Sequence, residues 1–211
     1  MLHSKNDYWD NYYAGKDTQS IDKNDGWLEK YRHIFQYDSS VLDLGCGAGS
    51  NIDTLLKMSK YVSAADFSAP ALDLLSQKYS SGTISTYCFD MREKFPFADE
   101  CFDIIVADLS IHYFNAKETH YILSEINRIL KARGTLLSRV HSTKNMPQLH
   151  SPTEEEGLVI ANGYQRKYFT VREIESLLAA WDINVIEENS IYRFEKVKEI
   201  IEFAAVKRSQ Q

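Results

Sequence analysis

A doubly wound α/β fold built on a parallel sheet is the class this sequence predicts, and three observations predict it. From residue 41 onward, short apolar runs of strand length alternate with longer segments of helical period. The first run, Val41–Leu44, passes directly into Gly45-Cys46-Gly47-Ala48-Gly49, a turn with glycine at alternate positions that opens a helix. The second, third and fourth runs are each followed by an acid: Asp66, Asp90 and Asp108.

In chain order, the segment Asp7–Lys16 comes first and is rich in aromatic residues. Tyr8, Trp9, Tyr12 and Tyr13 crowd one side of a helix at that spacing. Two readings stand: an amphipathic helix packed on the main domain, or a lid closing over a ligand. Gly26–Phe35 reads as a second helix with Trp27, Tyr31 and Ile34 or Phe35 inward.

Val41–Leu44 is then a strand, Ser50–Lys60 a helix and Tyr61–Asp66 a strand. Ala69–Tyr79 is a helix, with Ser68 as N-cap and Pro70 in the first turn, where its missing N–H costs nothing. Ile84–Phe89 is a third strand and Phe102–Asp108 a buried fourth. Lys117–Lys131 is amphipathic, with Ile122, Ile126, Ile129 and Leu130 inward; Gly134 ends it, and Thr135–Val140 is a fifth strand.

From His141 to Lys167 the alternation stops, and Pro147, Pro152, Gly157 and Gly163 punctuate a polar stretch. It reads as a plain connection or as a cover over a site, since long loops inside compact domains are often functional. Thr170 opens a helix, Val171–Ala180, with Glu173 completing a capping box. Ile183–Glu188 and Ile200–Val206 are two further strands. The expected organisation is a single domain over 1–211: a helical arm or lid at 1–40, a cofactor-binding core at 41–141, a substrate-cover segment at 142–168, and a C-terminal helix and strands at 169–211.

Composition sets the broad class. The 211 residues are 44% apolar and 26% charged, ordinary for a globular protein large enough to bury a core. The net charge of −6 and the absence of a dense Lys or Arg run argue for no nucleic-acid partner. No apolar run approaches membrane-spanning length, and Met1–Asp7 is polar, without the apolar core of a signal peptide. Cys46, Cys88 and Cys101 show no paired spacing, so reduced thiols, a cytoplasmic location and no metal site are expected.

Ligands of doubly wound sheets sit beyond the strand C-termini. The glycine turn and Asp66, Asp90 and Asp108 should therefore converge on one cleft. Asp43, two residues before the first glycine, bears on which ligand. Singly, each of these acids also reads as a solvated strand-end residue or a cap, but together they favour a ligand. A carboxylate beside a pyrophosphate would repel it, whereas one beside the α-ammonium and sulfonium of S-adenosylmethionine (SAM) would attract it. Asp66 suits a ribose diol, and Asp90 with the Met91 backbone suits an adenine amine. Past strand four, His112 and Tyr113 are placed to face a methyl acceptor. His112 is the tentative catalytic residue, as acceptor positioner or base, or else a structural histidine; His141 is a second candidate.

Val41–Ser50, Ala64–Ser68, Phe89–Met91, Phe95–Phe97 with Phe102–Ile105, and Leu130–Leu136 resemble, in order and spacing, the motifs of class I SAM-dependent methyltransferases. The resemblance implies a Rossmann-like seven-stranded sheet with its last strand antiparallel. It implies that Asp43, Gly45, Cys46 and Gly47 lie against the methionine moiety, that Asp66 holds the ribose with Phe67 near the adenine, and that Asp90 and Met91 grip the adenine edge. Asp108, Leu109 and Ser110 would run beside the sulfonium. Trp9–Lys16 with Trp27–Tyr31 is similar to the arm of small-molecule methyltransferases of the thiopurine and tellurite-resistance type. Tyr8, Trp9, Tyr12, Tyr13, Tyr113 and His141 are accordingly the lid and acceptor candidates. Strand four ends in Asp108-Leu109-Ser110-Ile111, unlike the Asn/Asp-Pro-Pro-aromatic motif of amino-methylating nucleic-acid enzymes. The expected function is methyl transfer from SAM to a small-molecule acceptor, leaving S-adenosylhomocysteine, by a monomer or homodimer. A non-catalytic SAM-binding protein and an NAD(P)-dependent oxidoreductase are the rival readings.

Overall fold

Val41 and Leu42 point to opposite sides of one strand, and both are fully buried. A strand buried on both faces needs helices on both faces, and that requirement builds the molecule. The structure, a computed structural model, describes residues 5–18, 25–147, 153–161, 164–193 and 196–209. Pro152, Gly163 and the first residues of the polar N-terminus, Met1–Ser4, lie outside the described residues.

The elements in chain order are α1 (Lys5–Ala14), a 3-10 helix (Trp27–Ile34), β1 (Ser40–Leu44), α2 (Ile52–Leu56), β2 (Tyr61–Asp66), α3 (Ala69–Lys78), β3 (Ser85–Cys88) and β4 (Phe102–Asp108). A 3-10 turn at Ile111–Tyr113 leads into α4 (Ala116–Ile129) and β5 (Leu130–His141). After these come β6 (Leu158–Ala161), β7 (Tyr164–Lys167), α5 (Val171–Leu177), β8 (Trp181–Arg193) and β9 (Lys196–Lys207). Seven strands form one sheet in the order β3-β2-β1-β4-β5-β9-β8. Strands β1 to β5 pair in parallel, and β9 is antiparallel to both β5 and β8. The seven-stranded sheet with its last strand antiparallel is thus present.

The two faces carry separate cores. Leu42, Leu44, Ile105 and Ala107 pack with Ile122 and Ile126 of α4 and Ile174 of α5. Val41, Ile104, Val106 and Ala64 pack with Trp27, Leu28 and Tyr31, Leu55 of α2 and Leu75 of α3. Helices α4 and α5 begin in capping boxes, Asn115 with Glu118 and Thr170 with Glu173, which satisfy otherwise orphaned N–H groups.

Several boundaries differ from expectation for local reasons. Ser68 stands at the N-cap of α3, but its hydroxyl makes no cap bond. The segment after Gly26 is a 3-10 helix rather than an α-helix, and α2 is only five residues long. Strand β5 begins at Leu130, where α4 was expected to continue, because Leu130 pairs with Phe102 and a register shift absorbs the residues before Thr135. The polar stretch 141–167 contains a small hairpin, β6 against β7, whose register Leu158↔Lys167 to Ala161↔Tyr164 is antiparallel. Among the described residues no helix is long and apolar enough to cross a membrane.

Candidate functional site

The strand order reverses between β1 and β4, and the glycine turn leaves β1 at that switch point. Gly45 and Cys46 both donate their N–H groups to the Ala65 carbonyl on β2, at 2.7 and 3.0 Å. Gly45, Gly47 and Gly49 all have positive φ, at 75°, 53° and 87°. At Gly45 space adds to conformation: a Cβ there would lie 2.4 Å from Cβ of Ser110. At Gly47 it would lie 2.3 Å from the Tyr13 hydroxyl, so the aromatic arm rests directly against the turn. Bare backbone is therefore obligatory on this wall.

Opening off the turn is one large cavity. Its wall takes in the turn, Asp66 and Phe67, Asp90 and Met91, Asp108–Ser110, His112 and Tyr113, His141, and Trp9, Tyr12 and Tyr13 from the arm. The strand-end acids, separated in sequence, converge as expected. Tyr8 stands outside the wall but packs its ring 4.5 Å from Tyr164, which belongs to it. Asp43 also stands outside, buried beneath the turn at 1% exposure.

Each acid has a distinct electrostatic setting. The Asp43 carboxyl is fully enclosed. Burial first, and the nearby Asp108 carboxylate second, push its carboxyl up to about 8, against the Asn51 side chain, a hydrogen-bonding neighbour that lowers its proton affinity. Asp66 accepts the N–H groups of Gly47 at 2.8 Å and Ser68 at 3.0 Å, so it braces the turn as well as facing the cavity. Asp90 is gripped by Arg92, whose Nε lies 2.9 and 3.0 Å from its two oxygens. Asp108 is taken up by two guanidinium groups. Arg139 reaches it at 2.8 and 3.0 Å and Arg193 at 3.1 Å. Burial raises the Asp108 carboxyl, but these two cations outweigh burial and hold it below the usual carboxylate range.

Arg139 is 1% exposed, and its other face meets Asp25 at 2.6 Å and the Trp27 ring at 4.5 Å. Leu109 follows in a left-handed conformation at φ 51°, a strain of about 1–3 kcal/mol in a non-glycine residue, of the kind that gathers at functional sites.

Beyond Ser110 the wall becomes aromatic and basic. His112 is buried, with no hydrogen-bond partner at either ring nitrogen and its ring 4.5 Å from that of His141. Burial, then His141, then Arg166 and Lys198 drive His112 well below the usual imidazole range. Burial with Arg166 and Lys198 brings His141 to about 3. Both rings are therefore neutral at pH 7. The hairpin contributes Tyr164, Gln165 and Arg166, and β9 contributes Lys198.

Arg139, Arg193, Arg92, Arg166, Lys198 and Tyr164 are site residues that the sequence reading missed. A lone charge inside the apolar run Leu136–Val140 was a signal for Arg139. Arg92 follows directly on Asp90 and Met91, while Tyr164, Arg166, Arg193 and Lys198 carry no local signal because chain reversals outside the motif region bring them in.

The residues fit SAM. Gly45 and Gly47 line the cavity, Asp43 places a buried carboxyl behind the turn, and Asp66 and Asp90 flank the adjoining wall.

Residues 41–134 match the family model for a methyltransferase domain. A malonyl-[acyl-carrier protein] O-methyltransferase of Priestia megaterium is 22% identical over 151 residues, covering 69% of this chain and 54% of that protein. A tRNA N(3)-cytidine methyltransferase of Mus musculus is 24% identical over 160 residues, covering 70% of this chain and 41% of that protein. The chain thus spans about half the length of the curated relatives it matches. A SAM-dependent methyltransferase structure from Methanosarcina mazei superposes with a TM-score of 0.76 at 20% identity, covering 90% of this chain and all of that one.

These relatives overturn one expectation, that nucleic acid is excluded as a partner: a tRNA-modifying protein aligns with most of the chain. The physical reason lies in the cavity. Net charge and basic runs describe the chain as a whole, whereas Arg166 and Lys198, distant in sequence, line one cavity only in the fold.

Proposed function

We propose that this chain, whose residues 41–134 match a methyltransferase domain, is a class I SAM-dependent methyltransferase that transfers the methyl group of SAM to a nucleophile held at the aromatic end of its cavity. One observation carries the reading: a single cavity is lined by the glycine turn and strand-end acids and by an aromatic wall of Trp9, Tyr113, His112 and Tyr164. When bound, SAM supplies a methyl group already activated by its sulfonium. What the protein must add is alignment and exclusion of water. Asp66 has lone pairs to spare for a ribose diol after accepting two backbone N–H groups. Trp9, Tyr12 and Tyr13 close the arm over the turn, in keeping with a lid role for 1–40. The β6–β7 hairpin supports the same role for 142–168.

His112 acts as a positioning group in this reading. Its low proton affinity makes it a poor general base near pH 7, but a neutral ring with open nitrogens can hold an acceptor hydroxyl or amine.

A small, partly apolar acceptor suits the arm-covered cavity. A second reading, a nucleobase acceptor, is favoured by the tRNA methyltransferase relative and by the Tyr113 and Tyr164 rings, which offer stacking surfaces. The test is calorimetry with SAM and with NADH, followed by transfer of label from methyl-tritiated SAM to small aryl acids, thiols, amines and unmodified tRNA. SAM binding with label in one acceptor class is expected. SAM binding without transfer to any class would make the chain a non-catalytic SAM-binding protein, and NADH binding without SAM binding would overturn the reading altogether.

A further inference from the structure

We infer that the far end of the cavity is an anion subsite, in which Arg166 and Lys198 bind a carboxylate or phosphate of the acceptor while the rings of Tyr113 and Tyr164 lie against its planar or apolar body. The inference rests on the methyltransferase reading and names the acceptor's chemical class within it.

Arg166 comes from the middle of β7 and Lys198 from β9, and both face the one cavity. The Arg166 guanidinium sits 5.5 Å from the Tyr113 ring centroid and 5.2 Å from that of Tyr164, and Nη2 donates to the Tyr164 hydroxyl at 3.0 Å. Two aromatic neighbours thus orient it. Its Nε is buried with no hydrogen-bond partner. Among the described residues, no carboxylate forms an ion pair with Arg166 or Lys198. The other arginines of the wall differ, since Arg92 pairs with Asp90 and Arg193 with Asp108.

Two cations in one partly buried space repel each other. Burial and then Arg166 lower the proton affinity of Lys198, and both cations weaken His112 and His141 as bases. An unpaired, desolvated charge is costly unless something supplies the opposite sign. Among the described residues no carboxylate does so, and an anionic ligand would. The same cavity is lined by Asp66 beside the glycine turn and by Arg166 and Lys198 from β7 and β9. An acceptor carrying negative charge would complete this arrangement.

The test uses the whole chain saturated with S-adenosylhomocysteine and titrated in a calorimeter with benzoate, phenyl phosphate and benzyl alcohol. At least one anion should bind about tenfold or more tighter than the alcohol, the effect of a charge-assisted hydrogen bond. The preferred anion tells carboxylate from phosphate. Arg166→Met and Lys198→Met should each cut that preference to about threefold or less, while S-adenosylhomocysteine affinity stays within about twofold. If circular dichroism shows Arg166→Met unfolded, Lys198→Met alone decides.

Equal binding of anion and alcohol, or variants that keep the preference, would overturn the inference. So would variants that lose S-adenosylhomocysteine affinity, because the cations would then serve the donor's own carboxylate. Failure of the wild-type chain to bind S-adenosylhomocysteine would overturn the methyltransferase reading and this inference with it. Its binding without anion preference overturns this inference alone.

Discussion

The Asp66 carboxylate accepts the backbone N–H of Gly47 at 2.8 Å, so the acid that ends β2 holds the turn that leaves β1. The same side chain faces the cavity. Turn geometry and ligand contact are therefore coupled through one residue. Asp66→Ala should weaken SAM binding by about 1–3 kcal/mol, through lost charge-assisted hydrogen bonds. Asp66→Asn keeps an oxygen for Gly47 and should lose less. Calorimetric titration of both variants checks this, and equal losses would separate the ribose role from the turn-bracing role.

Gly45 combines a positive φ with a space already filled by Ser110. Gly45→Ala should cost at least about 1–3 kcal/mol of folding stability from backbone strain, with the steric clash added. Urea denaturation measures it. In a Ser110→Gly background the clash is relieved but the strain is not, so the penalty should shrink without vanishing.

Arg139 joins Asp108 at the end of β4 to Asp25 ahead of the 3-10 helix, and it is almost wholly buried. Removing Arg139 leaves the buried Asp108 carboxylate with Arg193 alone and takes away the partner of Asp25. Arg139→Met should therefore destabilise the fold by about 3–5 kcal/mol. Arg139→Met with Asp108→Asn should cost less than the two single variants added together, because the double variant leaves no Asp108 charge behind. Chemical denaturation of the full cycle reads the coupling directly.

The carboxyl of Asp43, raised to about 8, is protonated at pH 7 in the free protein. A cationic donor brought near it would favour the ionised form and drive the proton off. SAM binding at pH 7 should then release up to about one proton, and affinity should rise with pH until about 8. Titrations in buffers of different ionisation enthalpy count the proton, and Asp43→Asn should abolish it. The sign for folding is the opposite. Because the folded carboxyl is raised above its ordinary 3.8, its contribution to stability is complete below that value and is lost as pH rises towards about 8. No proton release from the wild-type chain would mean that Asp43 does not meet the donor's charge.

Much of the cofactor half was legible in the linear chain because its signals are local. Val41–Leu44 into alternate glycines needs only neighbouring residues to define a strand, a tight turn and a helix start, and parallel sheets place strand ends together by topology alone. On that basis Asp66, Asp90 and Asp108 could be assigned to one cleft before any contact was known. What that reasoning could not see was how each acid is already occupied: Asp90 by Arg92, and Asp108 by Arg139 and Arg193. The acceptor half depended on still longer reach. Arg166 arrives on a hairpin within a stretch without helical or strand period, and Lys198 on a strand that runs against the others.

By itself, then, the sequence determined the parallel core and the glycine turn, because backbone conformation and apolar period are written over a few adjacent positions. Only the tertiary structure decided which charges are neutralised and which stay unpaired. Ion pairing and burial are set by distances between segments far apart in the chain, and those distances exist only once the sheet has closed.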